Sequence, residues 1–167
     1  MEIAWGSKVS PQFKQKFLVD SESLGIDPNW LMACMAFETG CTFSPSIRNK
    51  WTGATGLIQF MPSTARVLKT SVEALSRMTA EDQLEYVWRY FGLIDKPLNS
   101  LEDVYMAILW PSAIGKPNDY PIFSINHAAY KPNKGLDHDH DGSVTKAEAC
   151  ARVRELLKEG LKEGNVG

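Results

Sequence analysis

Glu38 closes an apolar run, Trp30-Leu31-Met32-Ala33-Cys34-Met35-Ala36-Phe37, and is followed by Thr39 and Gly40. A carboxylate on the last turn of such a helix, with Met35, Phe37 and Phe43 nearby, is drawn out of water. Desolvation disfavours its charged form and raises its pKa, which suits it to protonate a leaving oxygen near neutrality. A helix-end glutamate by itself reads as an exposed surface acid, so the assignment needs the segment that follows. That segment is Gly53-Ala54-Thr55-Gly56-Leu57-Ile58-Gln59-Phe60-Met61-Pro62-Ser63-Thr64-Ala65. It ends a Gly-, Thr-, Ser-, Asn- and Pro-rich stretch from Gly40 to Pro62, a composition that predicts a long loop or short strands, and long loops in small domains tend to carry function. No Asp or Glu lies between Thr39 and Ala65.

A second group of acids stands at Asp137-His138-Asp139-His140-Asp141-Gly142-Ser143-Val144-Thr145-Lys146-Ala147-Glu148. Acids at positions 1, 3, 5 and 12 with glycine at position 6 match an EF-hand loop. Calcium takes six to eight oxygens, which three alternating aspartates, the Ser143 carbonyl, a water-mediated contact at Thr145 and both oxygens of Glu148 supply. An acidic solvated turn and zinc binding by His138 and His140 are the rival readings. The oxygen-rich surroundings favour the hard ion. The segment before the loop, Tyr130-Lys131-Pro132-Asn133-Lys134-Gly135, is not helix-like, so the entering helix is missing or very short. With one loop only, a structural role for the ion, tying the last helix to the body, is preferred over signalling.

Glu38-Thr39-Gly40 followed at this distance by Gly56-Leu57-Ile58-Gln59-Phe60-Met61-Pro62 resembles the soluble lytic transglycosylases and their goose-type lysozyme relatives. There a Glu-Ser pair ends a helix and Gly-Leu-x-Gln-x-Met-Pro follows. The resemblance covers Asp27 to Ala65 and extends to the helices up to Trp110. It implies a lysozyme-like, mainly helical fold with a cleft for alternating N-acetylglucosamine and N-acetylmuramic acid. It further implies Glu38 as catalytic acid/base, Thr39 as a hydroxyl near substrate in place of serine, Gly56 and Leu57 as cleft wall, and Gln59 as a polar contact. Met61 and Pro62 read as structural. The family's third motif, Ala-Tyr-Asn-x-Gly, is altered; in Tyr105-Met106-Ala107-Ile108-Leu109-Trp110-Pro111, either Tyr105 or Trp110 takes the aromatic role. Trp51, Trp110 and Tyr120 are candidate sugar-stacking platforms, each with core packing as the plainer reading.

Glycoside hydrolases mostly need two carboxylates, substrate-assisted families being an exception. With no second acid in the motif region, Glu38 would act alone, the substrate's N-acetyl group stabilising the developing cation. Glu38 would then return as base. If it activates the muramic C6 hydroxyl, the product is a 1,6-anhydro sugar and the enzyme a lytic transglycosylase, the preferred reading. If it activates water, the enzyme is a hydrolytic muramidase, with Asp95, Asp103 or Asp119 available to position that water. A calcium-stabilised wall-binding module without turnover is the alternative of a different class.

The elements that must position these residues read as helices. Ser10-Pro11, Asp27-Pro28, Thr79 and Ser100 are start signals, Gly40 is a stop, and a last charged helix runs from Thr145 to about Gly160. Its Glu155, Lys158, Glu159 and Lys162 read as a solvated face. The class expected is all-α, with room for a small β-hairpin in the first loop. With the resemblance, residues 1–130 are expected to form the lysozyme-like domain and 131–167 the EF-hand-like loop and C-terminal helix, packed on the same body. A chain of 167 residues with 44% hydrophobic content builds a core of its own. A net charge of −2 offers no basic face for nucleic acid. Cys34, Cys41 and Cys150, an odd count, do not form a disulfide framework, and free thiols are preferred over a Cys34–Cys41 bridge. No apolar stretch of ~18 residues spans a membrane, and the N-terminus has no secretory pattern. The expected partner is the peptidoglycan glycan strand and the expected state a monomer. The expected setting resembles a bacteriophage endolysin or virion-associated enzyme: synthesised in the cytoplasm and brought to the wall by a holin or by the particle.

Overall fold

Each of the four start signals caps a helix in the computed structural model, which describes residues Met1–Gly167. The Ser10 hydroxyl accepts from the Phe13 N–H (3.0 Å) at the head of α1 (Pro11–Leu24), and Asp27 accepts from Asn29 (2.8 Å) at α2 (Pro28–Thr39). After α3 (Pro62–Val67) and α4 (Val72–Ser76), Thr79 caps α5 (Ala80–Phe91) and Ser100 caps α6 (Leu101–Leu109). Each cap satisfies a backbone donor that the first helical turn leaves without a partner. A single turn, α7 (Tyr130–Asn133), precedes the acidic loop, and the last helix is broken at Cys150 into α8 (Lys146–Ala149) and α9 (Ala151–Gly160).

Helix α2 is the centre of the molecule. Leu31 to Ala36 are all fully buried, because α1, α6 and α9 pack against it from different sides. That explains its near-uniform apolar sequence, since a helix covered all round has no polar face to keep. Helix α5 packs on α1, and the Ser10 hydroxyl joins the two by donating to Glu81. Trp5 reaches across the C-terminal helix and donates its indole N–H to the Leu156 carbonyl (2.9 Å).

The class is the one expected, mainly helical with one small sheet. The hairpin anticipated in the first loop reduces to two isolated bridges, Arg48 with Thr55 and Thr55 with Phe60. The sheet itself forms elsewhere: β1 (Pro121–Ser124) pairs antiparallel with β2 (Ser143–Thr145), Phe123 opposite Val144. Strand β2 lies inside the acidic loop. A short strand leaves ladder groups open, and β1 from the body of the protein satisfies them here. No helix is long and apolar enough to cross a membrane. The three cysteines are free thiols, Cys34 and Cys150 buried and Cys41 half-buried.

Candidate active site

The apolar wall around position 38 follows directly from where α2 ends. Gly40 adopts φ 58°, a left-handed conformation that stops the helix without a side-chain penalty, and turns the chain just beyond Glu38. Glu38 is half-buried and opens onto a groove of about 300 Å3. Phe37, Ile58, Met61, Tyr105, Ile108 and Leu109 supply its apolar lining, and Asn49, Gln59 and Asn133 its neutral polar groups. Glu38 is the one carboxylate among the lining residues. No protein donor meets it, and burial alone pushes its pKa up to about 8. A proton is therefore held on Glu38 at neutral pH, where an exposed glutamate would have lost it.

Tyr105 presents its ring edge-on to Phe37 (centroids 5.5 Å apart) and faces the same groove. Burial, and then the Glu38 charge, hold its hydroxyl well above the ordinary phenol range, so it remains a neutral donor. Of the two aromatics weighed for the altered third motif, Tyr105 lies at the groove. Trp110 packs edge-on against Phe123 and His127 instead.

Thr39 does not face the groove. It is fully buried, its hydroxyl donating to the Met35 carbonyl (2.7 Å) and accepting from the Phe43 N–H (3.0 Å). The hydroxyl shapes the helix exit behind Glu38, a correction to the substrate contact expected of it. Gly56 and Leu57 are likewise buried behind the wall, whose groove-lining residues in this segment are the largely buried Ile58 and the half-buried Gln59. Gln59 holds φ 51° and donates its side-chain amide to the Ile47 (3.2 Å) and Gly56 (3.1 Å) carbonyls. Its side-chain oxygen takes no protein hydrogen bond, which leaves an acceptor at the groove. Strained backbone at such a place is commonly tied to function. Met61, expected to be structural, is 44% exposed and lines the groove.

The loop is held by a residue that carries no local motif. Gln83 of α5 is fully buried; its side-chain oxygen accepts from the Leu57 N–H (2.7 Å), and its amide donates to the Pro45 and Leu75 carbonyls (both 2.9 Å). Gly56 has φ +87°, and a Cβ there would lie 2.2 Å from that oxygen. Gly56→Ala is expected to destabilise the fold by about 2–4 kcal/mol, from combined backbone strain and loss of the Gln83 clasp. Urea denaturation checks this, and a loss below about 0.5 kcal/mol would contradict the clasp.

Asp95 and Asp119 are exposed, and Asp103 is buried in an ion pair with Lys146. None lines the groove, so none is placed to position a water beside Glu38. Asn133 does line it, and a signal for it was present: Ala129-Tyr130-Lys131-Pro132-Asn133-Lys134-Gly135 holds Ala-Tyr and Asn-x-Gly with two residues between.

In the acidic loop, the carboxylate oxygens of Asp137, Asp139 and Asp141 lie within 4.8 Å of one another. Asp137 is buried; its Oδ2 accepts from the Gly142 N–H (3.0 Å) and the Tyr130 hydroxyl (2.6 Å), while Oδ1 has no partner. An orphaned buried carboxylate oxygen is costly unless a cation meets it, so the residues present fit a calcium ion. Asp139 and Asp141 each accept from the backbone two residues on, and His140 and Gly142 take positive φ to curl the loop. Glu148 stands at the loop's far end, accepting from the His138 N–H (3.1 Å) and, in a capping box, from Thr145. Ser143 and Thr145 lie in β2, and Val144 between them is fully buried, as its apolar character predicts.

The largest cavity, about 400 Å3, lies at the end of α1 among Met1, Leu18, Val19 and Ile26, with Glu22 exposed. It contains no acid held out of water. The groove at Glu38 is the candidate active site on chemistry, not on size.

No curated protein matches this chain by sequence. Residues 16–87 match the family model of the transglycosylase SLT domain, a span that contains α2, Glu38, the Gly56–Pro62 segment and the Gln83 clasp. That match supports a lysozyme-like domain of the peptidoglycan-cleaving transglycosylase kind over this part of the chain.

Proposed function

We propose that this protein cuts the β-1,4 bond between N-acetylmuramic acid and N-acetylglucosamine as a lytic transglycosylase, with Glu38 as its single acid and base. The observation that carries the reading is the isolation of Glu38: one carboxylate, protonated at neutral pH, on a groove that holds no other. Glu38 gives its proton to the glycosidic oxygen as the C1–O bond breaks, and the substrate's own N-acetyl oxygen bonds to C1. The resulting carboxylate then takes the proton of the muramic C6 hydroxyl, whose oxygen displaces the acetamido oxygen at C1. A 1,6-anhydro end forms and Glu38 is reprotonated. Tyr105, a neutral donor, and the free Gln59 oxygen line the same groove and are available to the bound glycan.

Mass spectrometry of digested peptidoglycan tests the product. Anhydromuramic ends are expected; free reducing ends would make the enzyme a hydrolytic muramidase of the same fold. Absence of any cleavage by the pure protein would favour a wall-binding module. In this reading a holin or a virion brings the enzyme to the wall, supported by analogy with endolysins.

Calcium belongs to the proposal as a structural ion held by Asp137, Asp139, Asp141, Ser143, Thr145 and Glu148, taking no part in the proton transfers. Its support is the loop pattern and the orphaned Asp137 oxygen. Saturating calcium at about 100 times its dissociation constant adds ~2.7 kcal/mol, or about 5–10 °C in melting temperature for a domain of this size. Activity should fall on chelation as well, because Tyr130 bonds to Asp137 and Asn133, on the same helical turn, lines the groove. Differential scanning fluorimetry with calcium and with EGTA measures the first effect; identical melting curves would remove the ion from the account.

A further inference from the structure

Trp51 is 96% exposed, whereas Trp5 is buried and Trp30, Trp88 and Trp110 are at least half-buried. Leaving an indole in water forgoes the burial that normally places tryptophan in a core or an interface. The turn that carries it does not need the side chain. Asn49 accepts from the Trp51 (2.9 Å) and Thr52 (3.1 Å) N–H groups through its side-chain oxygen. Its backbone closes the turn in both directions, to Ala54 (2.8 Å) and from Gly53 (2.9 Å). Thr52 adds a bond from the Ala54 N–H (3.2 Å). Every contact that builds the turn comes from residues other than the indole, so the turn presents the ring and gains nothing from it.

The turn is also continuous with the catalytic groove, because its two anchors, Asn49 and Ala54, both line it beside Glu38. An occupant that lies in the groove and continues past its Asn49–Ala54 edge reaches the turn that carries Trp51. The C–H faces of a pyranose ring are weakly positive, and the face of an indole is negative, so the two stack.

We propose that Trp51 is a substrate-binding platform that stacks on a sugar of the glycan strand beyond the units held at Glu38, so that the protein favours long strands over short fragments. This rests on the reading of the groove as a glycan cleft. Trp51 touches no reacting atom; its contribution is to binding.

The test uses the whole protein with soluble glycan strands freed of peptide, and with a tetrasaccharide fragment. Trp51→Ala is expected to raise KM for long strands roughly tenfold, carried by KM with kcat within about twofold. KM for the tetrasaccharide and the melting temperature should stay unchanged. In the inactive Glu38→Gln protein, long strands are expected to shift tryptophan emission to the blue and shield it from acrylamide, a response lost in Glu38→Gln/Trp51→Phe. Equal KM values for parent and Trp51→Ala on long strands would overturn the proposal, as would a joint fall in kcat and melting temperature. Binding of long strands, seen by calorimetry, with no change in acrylamide quenching would overturn it too. Failure of Glu38→Gln to lose activity, or of long strands to bind at all, would instead sink the glycan-cleft reading and this proposal with it.

Discussion

Glu38→Gln is expected to lower the rate of glycan cleavage by about 10²- to 10⁴-fold, the range that a positioned acid and base contributes. The amide is nearly the same size and shape as the acid, and Glu38 makes no hydrogen bond that the change would break, so the groove keeps its form. Activity of the parent should hold below pH 8 and fall above it, because the first step needs the proton that burial retains on Glu38 to about that pH.

In Glu38→Gln, stability moves in the opposite direction to activity. The folded-state pKa of about 8 lies above the unfolded value of 4.5, so between these limits the folded protein binds more protons than the unfolded chain. The parent therefore loses stability as pH rises through this window. Gln carries no such dependence. Its advantage over the parent should be absent at pH 4, grow from pH 5 to pH 8, and reach on the order of 2–4 kcal/mol; at about 1.4 kcal/mol per pKa unit the full interval would give ~5 kcal/mol, and solvent at the half-buried Glu38 lowers it. Denaturant titrations of both proteins at pH 5, 7 and 9 measure it. A parallel pair of stability curves would show that position 38 is not desolvated, and full activity in the variant would show that it is not catalytic.

The second large effect is expected at Asp103→Asn. Asp103 on α6 and Lys146 at the start of α8 form an ion pair of 2.6 Å, with side-chain exposures of 9% and 3%. Burial by itself would raise the Asp103 pKa, but the Lys146 ammonium and the Gly115 N–H hold it below the ordinary range. Lys146 also donates to the Lys116 carbonyl (2.8 Å). Removing the negative partner leaves an ammonium group buried without a counter-charge, a change that typically costs about 3–5 kcal/mol. A fall in melting temperature of about 10 °C or more is the expected readout. Replacing both partners, Asp103→Leu with Lys146→Met, should recover much of the loss, because no unpaired charge then remains. A depressed carboxylate pKa gives stability that is present at neutral pH and lost as pH falls through the folded value. The gap between parent and Asp103→Asn should therefore close in acid. The pair also links the exit of the acidic loop to the helix that carries Tyr105, so groove and loop share one support.

Glu38, the Gly56–Pro62 segment and the acidic loop were legible from residue order alone. Their chemistry depends on local spacing: a helix stop just beyond one carboxylate, and alternating acids around a glycine. The capped helices were legible for the same reason, since Ser10, Asp27, Thr79 and Ser100 bond within three residues of themselves. Contacts between distant residues were not. That Thr39 is sealed inside, that Gln83 clasps Leu57 across 26 positions, and that Asn133 shares a groove with Glu38 depends on how α2, α5 and α7 pack. The same holds for the fate of the acids offered as a second catalytic group. In the chain Asp103 is one aspartate among several, and only Lys146, 43 residues away, makes it a buried ion pair. Local bonding is written in neighbouring residues. Burial, and the pKa it shifts, belongs to the assembled fold, because solvent is excluded by whatever elements arrive from elsewhere in the chain.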